Sequence, residues 1–195
     1  MAEQQLRRTP LADAAGRLAE VTRAAGGAIA IAEVPFRTQL NLRVDPASPA
    51  AAAAGKELGL ELPTEAGTSA RAGDLSVLWL GPDEWLIIAA PGAAEQVTGR
   101  LRSAFGTEYA SVVDVSAQRT TLHLGGPRVR DVLAQGCALD LHPSRFPVGR
   151  CAQTMLAQAP VILLPLAADE YWLLVRASFA RYLADWLFDA TVEYR

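Results

Sequence analysis

LSVLWLGPDEWLIIA, residues 75–89, decides the fold class, because two apolar strands flank the turn residues Gly81, Pro82 and Asp83. Each of those three residue types favours a tight reversal, and short apolar runs bounded by such residues read as a β-hairpin. Downstream, a helix from Ala93 to Phe105 places Val97, Leu101, Ala104 and Phe105 on one face and stops at Gly106, and a strand from Ala110 to Val115 closes the unit. The second half repeats this plan. It has a strand over Thr120 to Leu124, a helix over Pro127 to Gln135, and strands over Gln153 to Ala157, Val161 to Leu166 and Tyr171 to Val175. A helix over Ser178 to Phe188 and a tail strand from Thr191 complete it.

Upstream, Leu11, Ala14, Leu18, Val21 and Ala25 are spaced by three and four residues, which is one helical face, ended by Gly26 and Gly27. Ile29 to Val44 reads as two short strands about Pro35, with Leu40, Leu42 and Val44 alternating against Asn41 and Arg43. From Asp45 to Gly73 the periodicity fades. That stretch is expected to be irregular with one helical turn near Lys56, and the alanine run 50–54, bracketed by Pro46, Pro49 and Gly55, is expected to be a surface loop.

Asp83-Glu84-Trp85-Leu86-Ile87-Ile88 is echoed by Asp169-Glu170-Tyr171-Trp172-Leu173-Leu174-Val175, each after a turn and ahead of a helix. Duplication of one unit and convergence of turn chemistry both account for so short an echo. The expectation is therefore an α+β fold of antiparallel hairpins with covering helices. It forms a single unit over 1–195 made of two small related subdomains packed together, 1–116 and 117–195.

Composition narrows the function. Eighteen basic and twenty-one acidic residues give a net charge of −3, which provides no electrostatic footprint for nucleic acid or anionic lipid. The longest uncharged apolar run, Ala159 to Ala168, is far short of the ~20 residues that span a bilayer. The opening MAEQQLRRTPLAD lacks the apolar core of a secretory signal, so a cytoplasmic protein is expected, with Cys137 and Cys151 as free thiols filling the core.

The chemistry-bearing residues read mostly as structure. Gly125-Gly126-Pro127 resembles an anion cradle but lacks the phosphate-binding lysine, and Pro at the first helical position is ordinary. His123 and His142 are the only imidazoles and, with Cys137 and Cys151, have none of the local pairing of a zinc site. Cys137 has only His142 as a sequence neighbour able to act as base, and no third group orients it. The acidic pairs Asp83-Glu84 and Asp169-Glu170 fall at hairpin turns. Arg119, Arg128, Arg130, Arg145 and Arg150 lie among Pro143, Phe146 and Pro147, a composition shared by interfaces and plain surfaces. The last helix carries Phe179, Tyr182, Leu183, Trp186 and Leu187 at helical spacing, which suits a core or a partner.

Several segments together resemble the gamma subunit of heterotetrameric sarcosine oxidase. They are VPFRTQLNLRVD (34–45), LGPDEWLIIA (80–89), the whole of 114–164 from DVSAQRTTLHLGG to APVILL, and ASFARYLADWLFDA (177–190). The resemblance implies an integral subunit, itself not catalytic, that supports the shape or assembly of an oxidoreductase complex. That enzyme demethylates sarcosine to glycine with oxygen and yields hydrogen peroxide, the methyl carbon leaving as formaldehyde or passing to tetrahydrofolate. It also implies alpha, beta and delta partner subunits, with FAD, covalent FMN and NAD in alpha and beta and zinc in delta. No catalytic, cofactor-binding or metal residue falls to this chain on that pattern. The family is also distantly similar to the folate-binding part of the glycine-cleavage T-protein, so the alternative expectation is a stand-alone folate-dependent aminomethyltransferase-like protein.

Overall fold

The computed structural model describes residues 7–195, so residues 1–6 of the N-terminal stretch read above for a signal lie outside the described residues. A 3-10 turn and helix α1 (Ala15–Ala24) lead into β1 (Ala30–Val34) and β2 (Thr38–Val44). Helix α2 (Pro49–Leu58) precedes β3 (Ser69–Ala72), β4 (Leu75–Gly81), β5 (Glu84–Ala89), α3 (Ala94–Phe105) and β6 (Ala110–Asp114). Then come β7 (Arg119–Gly125), α4 (Val129–Ala134), β8 (Ala152–Leu156), β9 (Ala159–Ala167), β10 (Glu170–Arg176) and α5 (Ala177–Ala190).

The strands form two five-stranded antiparallel sheets. The first has the order β3-β4-β5-β2-β6 and the second, read in the corresponding direction, β8-β9-β10-β7-β1. These are one plan used twice. Without the extra edge strands β3 and β8, each sheet is a βαββαβ unit of the ferredoxin-like type. In the second unit, however, the strand in the last place does not follow α5 along the chain. It is β1, from the other end of the chain, and pairs Ala30 with Gly125 through Val34 with Thr121. The expected division at 116/117 is thus crossed by the N-terminal segment, whose α1 packs Leu18 and Val21 into the core of the second sheet. The two strands about Pro35 are both present and go to different sheets.

Four layers follow from strand alternation. On the first sheet Leu40, Leu42, Val77, Trp85 and Ile87 face α2 and α3. On the second, Leu122, Leu124, Leu163, Tyr171 and Leu173 face α1, α4 and α5. The opposite faces meet in a thin apolar layer built mainly from Leu78, Leu86 and Ile88 against Ile162, Leu164 and Leu174. Both faces of the central strands are consequently apolar, which is why the hairpin at 75–89 reads as continuous hydrophobic runs.

Two expectations are corrected. The alanine run is not a surface loop: it lies in α2, with Ser48 Oγ accepting from Ala51 N–H (3.3 Å), Pro49 in the first turn and Gly59 at φ 71° ending it. Ala50, Ala51 and Ala54 are buried because small side chains let this helix sit close on the first sheet. The tail after Thr191 forms a 3-10 turn, Val192–Tyr194, rather than a strand. The last helix is settled as core on one face, with Leu183 and Leu187 fully buried, while Tyr182 is exposed and its hydroxyl accepts from Gln158 N–H at 3.2 Å.

Gly126 fixes the N-terminal segment against the second sheet. It has φ 110°, a Cβ there would lie 2.5 Å from the Ala28 carbonyl oxygen, and that oxygen accepts from Arg128 N–H at 3.1 Å. Gly126→Ala is therefore expected to destabilise by at least about 2 kcal/mol through backbone strain and clash. Urea unfolding of both proteins checks this, and a midpoint unchanged from the parent would show that the close approach is absent.

Candidate functional site

The repeat brings two segments to equivalent places. Arg43 pairs with Glu84 on β5 as Gly125 pairs with Glu170 on β10, so Arg37-Thr38-Gln39-Leu40-Asn41-Leu42 superimposes in register on Arg119-Thr120-Thr121-Leu122-His123-Leu124. Four of six residues are identical in these two segments. The leucines face the helices, while Gln39, Asn41, Thr121 and His123 occupy the alternate positions that turn toward the inter-sheet side. Asn41 Nδ2–H donates to Glu84 Oε1 at 2.7 Å, and at the equivalent place His123 Nε2 lies 3.8 Å from Glu170 Oε2.

The two segments touch where Gln39 Nε2–H donates to the Arg119 carbonyl at 3.2 Å. The backbone there is tied further by Val115 N–H to the Gln39 carbonyl (2.9 Å) and Gln39 N–H to Ser116 Oγ (2.9 Å). Beside this junction is a cavity of about 450 Å³ lined by Arg7, Arg8, Arg37, Gln39, Arg119 and Thr121 among others, and no carboxylate side chain of the described residues lines it. Arg37 is only 8% exposed. Its Nη2–H donates to the Asp74 carbonyl at 2.7 Å, the Asp74 carboxylate is 3.8 Å away, and its guanidinium lies 5.1 Å from the Trp172 ring centre, an aromatic cation contact. Burial lowers the pKa of Arg37 against the opposing pull of Asp74, and burial together with Arg176 lowers that of Arg119 against Glu84. Arg37 Nε, Gln39 Oε1 and Thr121 Oγ1 are buried without a hydrogen-bond partner among the described residues.

The other residues singled out in the sequence are dispersed. Arg128 pairs with Asp131 (3.1 Å), Arg130 with Asp169 (2.7 Å) and Arg150 with Glu65 (2.7 Å), while Arg145 is exposed in the 142–147 loop. Of the five arginines, Arg119 alone lines the inter-sheet cavity. Asp83 binds Arg43 (2.8 Å) at the first hairpin turn, which holds its carboxyl below the usual carboxylate range. His142 Nδ1 sits 2.8 Å from Ser144 Oγ on the surface, and Cys137 is buried in the core of the second sheet. Gly125-Gly126-Pro127 precedes the six-residue α4 and serves the contact with Ala28. No group of three or more His, Cys, Asp or Glu side chains able to hold a metal occurs among the described residues. No described helix is long and apolar enough to cross a membrane. Arg37 and Gln39 were missed in the sequence reading, although the doubled Arg-Thr-X-Leu-X-Leu pattern was the signal that would have found them.

The profile of the "Sarcosine oxidase, gamma subunit family" matches residues 43–193. Sarcosine oxidase subunit gamma from an Arthrobacter species is 40% identical over 190 residues, covering 97% of this chain and 92% of that protein. The chain belongs to the sarcosine oxidase gamma subunit family. Its relative from Corynebacterium sp. strain U-96 is 41% identical over 193 residues, with the same coverage. A chain in the solved heterotetrameric sarcosine oxidase from Corynebacterium sp. U-96, in complex with pyrrole 2-carboxylate, superimposes with a TM-score of 0.90 at 38% identity, covering 97% of this chain and 96% of that one. Glycine cleavage system aminomethyltransferase T from Bartonella henselae shares the fold alone, with a TM-score of 0.70 at 14% identity, and this chain covers 57% of it. The family match begins at residue 43, so the profile leaves out the strand that completes the second sheet, whereas the full-length relatives cover 97% of the chain.

At the corner where the edge strands β3 and β8 approach, Cys151 Sγ–H donates to the carbonyls of Thr68 (3.2 Å) and Trp79 (3.5 Å). Burial pushes this thiol up to about 11 from an ordinary 9.0, outweighing the opposing effects of the Trp79 backbone and Arg150. A pKa raised on folding gives stability that is complete below about pH 9 and is lost as pH rises through 11. Stability at pH 10.5 is expected to fall by about 2 kcal/mol from this group relative to pH 8. Urea unfolding at both pH values should show a drop smaller by that amount in Cys151→Ala; equal drops in the two proteins would contradict the assignment.

Proposed function

We propose that this chain is a non-catalytic, structural and assembly subunit of a heterotetrameric sarcosine oxidase. In this reading the complex oxidatively demethylates sarcosine to glycine with formation of hydrogen peroxide, and the methyl carbon is released as formaldehyde or passed to tetrahydrofolate. Alpha, beta and delta subunits are its partners; FAD, FMN and NAD reside in alpha and beta, zinc resides in delta, and the complex works in the cytoplasm. The observation that carries the reading is the end-to-end likeness to a chain of a heterotetrameric sarcosine oxidase, 38% identical at a TM-score of 0.90.

The dispersal of the candidate groups supports the non-catalytic role. Of the two cysteines, Cys151 is held mainly as a neutral thiol by burial, and thiolate rather than thiol is the nucleophile. A stand-alone folate-dependent aminomethyltransferase has weaker support, because the likeness to that enzyme is one of fold and the chain spans 57% of its length.

Co-purification of the tagged chain from its host tests the reading. A yellow multi-subunit complex with sarcosine-dependent peroxide release is expected. A colourless single chain that binds tetrahydrofolate saturably would overturn it, and turnover of sarcosine by the chain alone with added flavin would overturn the non-catalytic role.

A further inference from the structure

The guanidinium groups around the inter-sheet cavity are short of counter-charges. Arg8 is bound by Asp13 at 2.7 Å, but Arg7 and Arg119 have no carboxylate within 4 Å among the described residues, and Arg7 instead stacks over Phe36 at 5.1 Å. Arg37 has one carboxylate in reach, that of Asp74 at 3.8 Å, whose side chain is 80% exposed and so weakly coupled through solvent. Glu33 lies beside the cavity wall and is already bound by Thr9 (2.6 Å) and Thr120 (2.5 Å). Arg119 donates no side-chain hydrogen bond to a described residue, although burial lowers its pKa. A desolvated cation without a partner is costly, and the cost is removed when an anion enters.

Two of the unpaired buried atoms point the same way and come from a different observation. Arg37 Nε–H and the Thr121 hydroxyl are donors without an acceptor, whereas Gln39 Oε1 is an acceptor that a carboxylate would leave unpaired. Each such group costs about 1–3 kcal/mol, and all three residues border this cavity. The cavity also falls within the size range of small-molecule sites. A planar guanidinium matches the two coplanar oxygens of a carboxylate through a pair of parallel hydrogen bonds.

We infer that this cavity is a receptor for a carboxylate, held by Arg37 and Arg119, the equivalent arginines that open the two repeated strands. The carboxylate comes either from a free small organic acid or from an Asp or Glu side chain of a neighbouring subunit. Only the second source rests on the subunit reading above.

The full chain is labelled with nitrogen-15, and its arginine Nε–H resonances are followed while sodium acetate replaces sodium chloride at constant ionic strength. Saturable shifts of the Arg37 and Arg119 resonances, with affinity at least tenfold weaker in Arg119→Gln, identify a free acid as the source. Arg119→Lys keeps the charge and loses the planar fork, and is expected to fall between the two. If acetate leaves the resonances in place, Arg119→Gln is introduced into the native complex. An at least tenfold weaker hold on the flavin-bearing chains, with an unchanged thermal midpoint for the variant chain alone, identifies a partner's side chain. Resonances unmoved by acetate together with undiminished assembly overturn the proposal, as does tighter binding of inorganic phosphate than of acetate. A parent chain that never co-purifies with flavoproteins defeats the subunit reading instead, and leaves the acetate titration intact as a test of the cavity.

Discussion

The antiparallel pairing of β1 with β7, Ala30 to Gly125 through Val34 to Thr121, makes two complete units out of one chain. Without it the second sheet would end on β7, whose Leu122 and Leu124 are fully buried, and α1 would lose the surface that receives Leu18 and Val21. The exposed edge that β1 creates is partly sealed: Thr22 Oγ1 accepts from Ile31 N–H at 2.9 Å and its hydroxyl donates to the Ile31 carbonyl at 3.0 Å. Capping an edge strand in this way blocks further strand addition there. The first and last helices are thereby drawn together, Arg17 of α1 lying over the ring of Phe188 in α5 at 4.2 Å.

With both units complete, the sheets can meet through their helix-free faces. The layer between them is apolar over β4, β5, β9 and β10, and polar where β2 and β7 begin. That change of character places the arginines. Arg37 and Arg119 enter at equivalent positions of the repeat, one closed in by Trp172 and the Asp74 backbone, the other facing the cavity without an ion partner among the described residues. Divergence between the copies is visible at the next residues as well: Asn41 makes a short hydrogen bond to Glu84, whereas His123 stands 3.8 Å from Glu170. Repetition gave the site its twofold character, and buried polar atoms without a partner remain on both sides of it, Arg37 Nε and Gln39 Oε1 on one and Thr121 Oγ1 on the other.

Much of this was legible in the residues. The hairpin at 75–89 and the helical spacing of Leu11, Leu18 and Val21 each mark an element that buries a periodic face, and these emerge in place. Helix α2 was not legible because its buried face is built of alanines, which carry little hydrophobic periodicity even when fully enclosed. Membership of sheets was also hidden. Strand period says which face a residue takes but not which neighbour it finds, so β1 and β2, joined by Pro35, Phe36 and Arg37, looked like partners and are not. The acidic echo at 83 and 169 points to the repeat, while the stronger match, Arg37-Thr38 with Arg119-Thr120, lies in segments whose alternation is that of any half-buried strand. Unpaired buried polar groups have no sequence signature, since pairing is a property of neighbours brought together by the fold.

Amide hydrogen exchange on a chain lacking residues 1–34 tests the central claim directly, because it removes α1 and β1 and leaves the first sheet's strands intact. The two-unit architecture predicts that Thr121, His123 and Gly125 amides in β7 lose protection by at least about a hundredfold relative to those of β2 and β5, as the completed sheet reverts to an open edge. Equal protection in both sheets after the deletion would mean that the second unit stands without the N-terminal strand.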